Sequence, residues 1–457
     1  VLDAVRSAGG ASRSRRGFLG AAVTTGSGIL LAPPATAATQ APGRGASFTG
    51  DHGPEVAATW LRALYQVTAT EGLTPPAAAR AYAYCTVAMY EAVVPGMPGF
   101  RSTGRQLNGL HRLPQPAHRS RLDWPTALSA AVSAAAAGVH GAASVASQEI
   151  LRRTHEEQVA ARRAAGVTEG DLRHSLAFGH GIGAAVAQWA ATDGAAEAAA
   201  LPYTPPVGES FWVPTPPNFG TAVEPHCALV RPMVLRTADE VAPEPPVPFS
   251  TEPGSPFWQQ AMVPYQQSAV NTDETRDIAR FWTDNPRFSG MPAGHWLNIA
   301  VQACEQHGLG LDRTVEALAR TGIALHDAFL NCWTWKYRHN LVRPVTYVRR
   351  HIDPTWTTWV NSPQFPEHTS GHSVGSRAAS TVLTALLGSL AFDDTSLATT
   401  VGIGKRTRSY RSFHEAADTA AQSRIYGGIH YPHGVDAGKA QGDAVGALVV
   451  ARLRTDR

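Results

Sequence analysis

Three short islands of polar and charged residues between Lys336 and His430 constrain this chain more than any other feature. The first runs Lys336-Tyr337-Arg338-His339-Asn340-Leu341-Val342-Arg343-Pro344; the second is Thr369-Ser370-Gly371-His372; the third is Ser423-Arg424, followed by His430. Arginine presents a rigid fork of donors to oxyanion oxygens, and lysine adds a point charge. A Ser-Gly pair opening a helix offers free N–H groups at the positive end of the helix dipole. Histidine can act as nucleophile, ligand or proton carrier near neutral pH. Lys336, Arg343, Ser370, Gly371, His372, Arg424 and His430 together describe a pocket for a tetrahedral oxyanion.

The spacings suggest how these residues converge. Lys336 and Arg343 are seven apart, two helical turns, which places both on one helix face. Pro344 biases Arg343 out of the helical region, so the helix is expected to stop there. Gly427 and Gly428 break the helix that carries Ser423 and Arg424, letting His430 turn back toward it.

The three islands resemble the Lys-x6-Arg-Pro, Pro-Ser-Gly-His and Ser-Arg-x5-His signature shared by vanadium-dependent haloperoxidases and type 2 phosphatidic-acid-phosphatase-like acid phosphatases. Trp333, Asp353-Pro354-x-Trp356, Phe365-Pro366-Glu367 and Tyr426-Gly427-Gly428-Ile429-His430-Tyr431-Pro432 resemble the bacterial haloperoxidase branch in particular. The match covers about residues 278–442, and Thr369 stands where the family usually has proline, which is expected to loosen the loop before Ser370. The resemblance implies an all-α architecture of two helical bundles with the anion site in the C-terminal one.

It also implies roles. His430 is similar to the histidine that binds vanadium in the peroxidases and attacks phosphorus in the phosphatases; His372 is similar to the acid–base partner. Lys336, Arg343, Arg424, the Ser370 hydroxyl and the Gly371 N–H would neutralise the oxyanion. Such a charge-spreading set suits the five-coordinate centres of both chemistries. Trp333 resembles an aromatic beside the vanadate, and Phe365 one near the halide approach. The implied activity is a vanadate-dependent haloperoxidase using hydrogen peroxide, halide (bromide ahead of chloride) and an organic acceptor. An acid phosphatase taking a phosphate ester, with His430 as nucleophile and no metal, is the alternative. A noncatalytic phosphate- or vanadate-binding protein comes third, because it would not need two such histidines.

Taken in order, the 457 residues have room for two or three domains or one large helical one. Residues 1–37 read as a twin-arginine signal peptide: Ser14-Arg15-Arg16-Gly17-Phe18-Leu19, a weakly apolar stretch, then Ala35-Thr36-Ala37 suited to cleavage. Export by the twin-arginine machinery to the cell envelope or beyond is expected. Lys and Arg number 39 against 36 Asp and Glu, so bulk charge argues for neither nucleic acid nor an anionic membrane. No later run reaches the length of a membrane span, and the mature chain is expected without a transmembrane anchor.

Residues 48–201 read as an N-terminal helical bundle, with close helix packing in the alanine-rich 128–138 stretch. Arg80, Tyr90 and Glu91 are assigned packing roles there. Residues 202–264, rich in proline and aromatics, read as a crossover that wraps the surface and lines the pocket mouth. Residues 265–457 read as the C-terminal helical domain, with helices at 273–284, 293–307, 312–340, 370–387, 412–426 and 435–452. The four cysteines, Cys85, Cys227, Cys304 and Cys332, have no zinc or haem spacing and are expected as buried free thiols. His326 reads as a structural histidine and Asp327 as the partner of a basic group. His368, His414 and His433 are expected to serve local structure.

Overall fold

A computed structural model of the chain describes residues 48–117, 121–400 and 402–456. The export signature and cleavage site lie outside them. Fourteen α-helices occur among the described residues. Six precede the proline-rich segment: α1 (Glu55–Glu71), α2 (Pro75–Val93), α3 (Trp124–Val139), α4 (Val145–Ala164), α5 (Glu169–Ala190) and α6 (Ala195–Ala200). Their starts follow from local chemistry. Asp123, Ser144 and Thr168 accept an N–H from the first turns of α3, α4 and α5, replacing acceptors that a helix N-terminus lacks. The alanine-rich α3 does pack closely: a β-carbon on Gly183 of α5 would collide with the carbonyl of Ala131.

The second set is α7 (Pro256–Val270), α8 (Asp273–Phe281), α9 (Met291–Gln306), α10 (Leu311–His339), α11 (Pro344–His351) and α12 (Gly371–Leu387). A hairpin follows, β1 (Phe392–Thr395) antiparallel to β2 (Thr407–Tyr410), then α13 (Phe413–Tyr426) and α14 (Pro432–Arg452). α10 contacts α2 on one side and α12 and α14 on the other, so the two groups of helices share one apolar core running from Val56 to Leu453. None of the described helices is long and apolar enough to cross a membrane. All four cysteines are buried and free.

Three features differ from the sequence reading. The proline-rich segment ends earlier than position 264, because Ser255 caps a helix with Pro256 in its first turn. Pro264 lies inside that helix, where its missing N–H removes one ladder bond. The helix carrying Lys336 ends at His339, with Asn340 left-handed at φ 47°, and Arg343 instead caps α11 in extended conformation. The convergence of Lys336 and Arg343 therefore comes from a turn, and the seven-residue helical spacing does not produce it. The β1–β2 hairpin was not foreseen; its four-residue strands are too short to show a pattern.

The crossover is fastened to α10. Asp327, fully buried, pairs with no basic side chain among the described residues; its carboxylate accepts the N–H groups of Met233, Val234 and Leu235 at 2.7–2.8 Å. His326 is structural, 3.2 Å from the Arg231 carbonyl. Trp212 is buried, and its backbone N–H donates to the Asn340 carbonyl at 2.7 Å, whereas Phe219 is exposed. Replacing Asp327 with Ala strands three buried donors, and a buried donor without a partner costs about 1–3 kcal/mol. Asp327→Ala should therefore lower stability by at least about 3 kcal/mol, seen as a reduced Tm with helix content retained below the transition.

Candidate functional site

A cavity of about 400 Å³ opens beside α10, α12 and the end of α13. Trp333, Phe365, Gly371, His372, Arg424 and His430 form part of its wall; Lys336, Arg343 and Ser370 lie directly behind. All nine residues proposed from the sequence are thus gathered in one place. Asn218 and Val223 of the crossover also line it, as expected, together with Thr74 and Pro75 of the N-terminal helices.

The cavity floor is built around His430. α13 ends at Tyr426, and Gly428, at φ +78°, turns the chain back. Arg343 Nη1 donates to His430 Nε2 at 3.1 Å, and a guanidinium has no acceptor, so Nε2 presents its lone pair. The ring proton sits on Nδ1, which donates to Glu367 Oε1 at 2.7 Å. Glu367 Oε1 also accepts the Tyr431 N–H at 3.0 Å. Burial, reinforced by Arg343, Lys336 and Arg424, holds the His430 pKa well below its usual value. A neutral imidazole with one unprotonated nitrogen suits a ligand once the Arg343 N–H gives way, and a carboxylate behind it fixes that tautomer. Burial raises Glu367 to about 7. Since Oε1 takes two donors, any proton on Glu367 sits on the unpartnered Oε2.

Three cations surround this histidine, each completely or almost completely buried. Arg343 Nε donates to the Phe365 carbonyl at 2.8 Å and Nη1 to that of Ile429 at 2.9 Å, leaving Nη2 buried without a partner among the described residues. Arg424 donates to the Trp282 carbonyl and to Ser423 Oγ. Lys336 donates to the carbonyls of Pro366, Glu367 and Thr369. Burial depresses Lys336 to about 7 and both arginines to about 10. Among the described residues none of the three forms an ion pair.

Two expectations change in detail. The Lys336 donors are spent on the 366–369 loop, so its influence on a bound anion here is its field and the loop geometry it fixes. The Ser370 hydroxyl caps α12, accepting the Ser373 N–H at 3.3 Å, and does not reach the cavity wall. Gly371 does reach it, at a helix start where the first N–H groups have no intrahelical acceptor. The departure at Thr369 does not leave the loop loose: its hydroxyl donates to Gln441 at 2.5 Å and its carbonyl takes the lysine.

His372, on the first turn of α12, has Nε2 3.5 Å from Asp284 Oδ2. Burial and the nearby Arg424 lower its pKa to about 4, against the opposing pull of Asp284. Trp333 donates Nε1 to the Val223 carbonyl at 3.1 Å and packs on Phe365, whose ring lies under Arg343 and Lys336. The flanking histidines are local: His368 meets the Glu244 carbonyl, His433 that of Pro245, and His414 the Ser380 hydroxyl. Arg80 pairs with Asp193, Tyr90 donates to the Arg101 carbonyl, and Glu91 accepts from Ser102 and Thr103, all outside the site.

Sequence reasoning gave no role to Glu367 or Asp284. Glu367 was in view beside the second island, and a carboxylate near a ligand histidine is a signal worth reading. Asp284 sits in no motif.

Comparison with known proteins identifies the fold. The family model for the VCPO second helical-bundle domain matches residues 316–456. The crystal structure of a bacterial vanadium-dependent iodoperoxidase is 33% identical, with TM-score 0.82 over 88% of this chain and 97% of that one. The holo and apo crystal structures of a bacterial vanadium-dependent chloroperoxidase share the fold at 17% and 15% identity. Their TM-scores are 0.59 and 0.58, covering 84% and 83% of this chain and 95% of each of those. No curated protein sequence matches.

Two measurements test the site as drawn. Glu367→Ala removes the acceptor that orients His430 and should weaken orthovanadate binding about 10- to 100-fold by calorimetry, with Glu367→Gln less affected. The low pKa of His372 means that the unfolded chain protonates first as pH falls below 6.5. Its contribution to stability is present above that pH and is lost as pH falls through about 4. His372→Gln should therefore lose less Tm than the parent between neutral pH and about pH 4.5.

Proposed function

This chain belongs to the vanadium-dependent haloperoxidases, which are peroxidases, and from that membership we propose that its oxyanion pocket holds vanadate and oxidises halide with hydrogen peroxide. The observation that carries the reading is Arg343 Nη2, a buried donor without a partner among the described residues, beside a neutral His430 whose inward Nε2 lone pair is met only by the neighbouring Arg343 Nη1. Three buried cations solvated by carbonyls and hydroxyls, with no carboxylate paired to them among the described residues, leave the positive charge that a vanadate anion would balance. The donor set fits the group.

When bound, vanadate would act as a Lewis acid that activates hydrogen peroxide for two-electron oxidation of halide to a hypohalous product, without changing its own oxidation state. His430 would hold it through Nε2. Arg343, Arg424 and the Gly371 N–H would neutralise its oxygens, with Lys336 contributing charge from behind. His372, neutral near pH 7, would accept and return protons at the cavity wall. Trp333 and Phe365 would exclude water from the charged floor. The rest of the cavity, bordered by Phe288, Met291, Phe329 and Val360, has room and apolar surface for an organic acceptor. Bromide stays ahead of chloride, and the likeness to an iodoperoxidase puts iodide first. The Ser14-Arg15-Arg16 signature supports export by the twin-arginine route.

The deciding assay uses one purified, metal-stripped batch. With orthovanadate restored, the protein should oxidise iodide and bromide in the presence of peroxide. His430→Ala should lose at least about 100-fold of that activity. Hydrolysis of an aryl phosphate that vanadate inhibits, with no halide oxidation, would overturn the peroxidase reading in favour of the phosphatase.

A further inference from the structure

A second buried charge cluster lies behind His372, outside all three sequence islands. Its centre is His295 on α9, fully enclosed. Nδ1 lies 3.1 and 3.2 Å from the two Asp284 oxygens, and Nε2 lies 3.0 Å from Asp394 Oδ2. A carboxylate only accepts, so both hydrogen bonds require protons on both ring nitrogens, which makes His295 an imidazolium. The ring stacks on Trp282 at 4.3 Å and 21°, a face that favours a cation. Burial alone would lower its pKa; Asp284 and Asp394 outweigh that and raise it to about 10.

The flanking carboxylates are brought in from distant parts of the chain. Strand alternation in β1 turns Phe392 and Asp394 to the same buried side. Asp284 follows α8 with φ +44° and lies on the cavity wall, its Oδ2 3.5 Å from His372 Nε2. Two carboxylates and one imidazolium leave the cluster one net negative charge. Arg424, held by the Trp282 carbonyl, faces it. The phenols Tyr65, Tyr82 and Tyr410 also neighbour these carboxylates; burial first, and the carboxylates after it, raise their pKa values, so all three stay neutral.

We propose that His295, clamped between Asp284 and Asp394, is a positioning residue that fixes Asp284 against His372 and thereby aims the proton-carrying imidazole into the cavity. Three buried charges are a costly way to fill a core. Here they hold one carboxylate still, ionised and pointed at His372. Without the cation, Asp284 would turn or take up a proton, and His372 would lose the neighbour that orients it. His295 is not among the residues that line the cavity and acts only through Asp284.

The proposal rests on the peroxidase reading only for its kinetic arm. In the vanadate-free protein, the titration of His372 is followed by NMR of ¹⁵N-labelled histidine in the parent, His295→Gln and Asp394→Asn. Asp284 is the neighbour that raises the His372 pKa, so if it turns or takes up a proton without the His295 cation the His372 midpoint should fall by about one pH unit; a rise, as loss of a like charge with Asp284 still in place would give, would overturn the proposal. Asp394→Asn should move it the same way by less. In the vanadate-loaded enzyme, kcat for halide oxidation should fall at least about tenfold with the KM for peroxide held. Orthovanadate affinity by calorimetry should be retained. Folded variants that keep both the parental His372 titration and the parental kcat would overturn the proposal. If His295→Gln fails to fold, the same two readings on Asp394→Asn decide. The NMR arm is read even in a protein that oxidises no halide, so the two readings fail separately.

Discussion

The hydrogen bond from His430 Nδ1 to Glu367 is the interaction on which the rest of the site depends. It sends the ring proton away from the cavity and leaves Nε2 as a lone pair facing inward. Without it the ring could flip or change tautomer, and the guanidinium of Arg343 would lose its acceptor. The bond needs Glu367 at a fixed height. Gly434 secures that height, because a β-carbon there would collide with the carboxylate. The three Lys336 bonds hold the backbone on either side of Glu367. The buried lysine thus serves the histidine through the loop as well as through its charge.

A second principle governs how the cations are kept. Burying a charge is expensive unless polar groups replace its water shell. Carboxylates would do so, but they would also cancel the charge. Here the replacement is largely by carbonyl oxygens: two for Arg343, three for Lys336, and those of Trp282 and Ala279 for Arg424. Dipoles solvate without neutralising, so the positive field survives at the cavity floor. The same reasoning places the carboxylates. Glu367 and Asp284 are each engaged by a histidine, which keeps them close to the arginines without quenching them.

Much of this was legible in the letters. Helices α1–α5, α8–α10 and α12–α14 announce themselves through apolar periodicity and through Ser, Thr and Asp at several of their starts. Seven of the nine candidate residues could be named because their chemistry is local: a guanidinium before a proline, a Ser-Gly pair opening a helix, a histidine after paired glycines; Trp333 and Phe365 came only from the family resemblance. What escaped was set by contacts distant in sequence. Asp327 reads as a charge awaiting a cation, and nothing in its neighbourhood shows that three N–H groups from residues 233–235 converge on it. The α7 helix hides behind its prolines. Asp284, His295 and Asp394 belong to three separate elements, and only the assembled core brings them within hydrogen-bonding distance. The engagement of Lys336 with carbonyls likewise needs the loop path, which spacing cannot give.

The cavity is made from two sources of different character. Its floor comes from residues 329–343, 365–372 and 424–430, where most of the charges sit. Its rim comes from Thr74 and Pro75, from Asn218 and Val223 of the crossover, and from the 285–292 and 360–364 loops. The Val223 carbonyl receives both Trp333 and Tyr337, so the rim is tied to the floor at a defined seam. Chemistry and admission are therefore assigned to different stretches of polypeptide. Drift at the rim can change the size and polarity of what enters while the charged floor stays constant, and one reactive centre can come to serve many different guests.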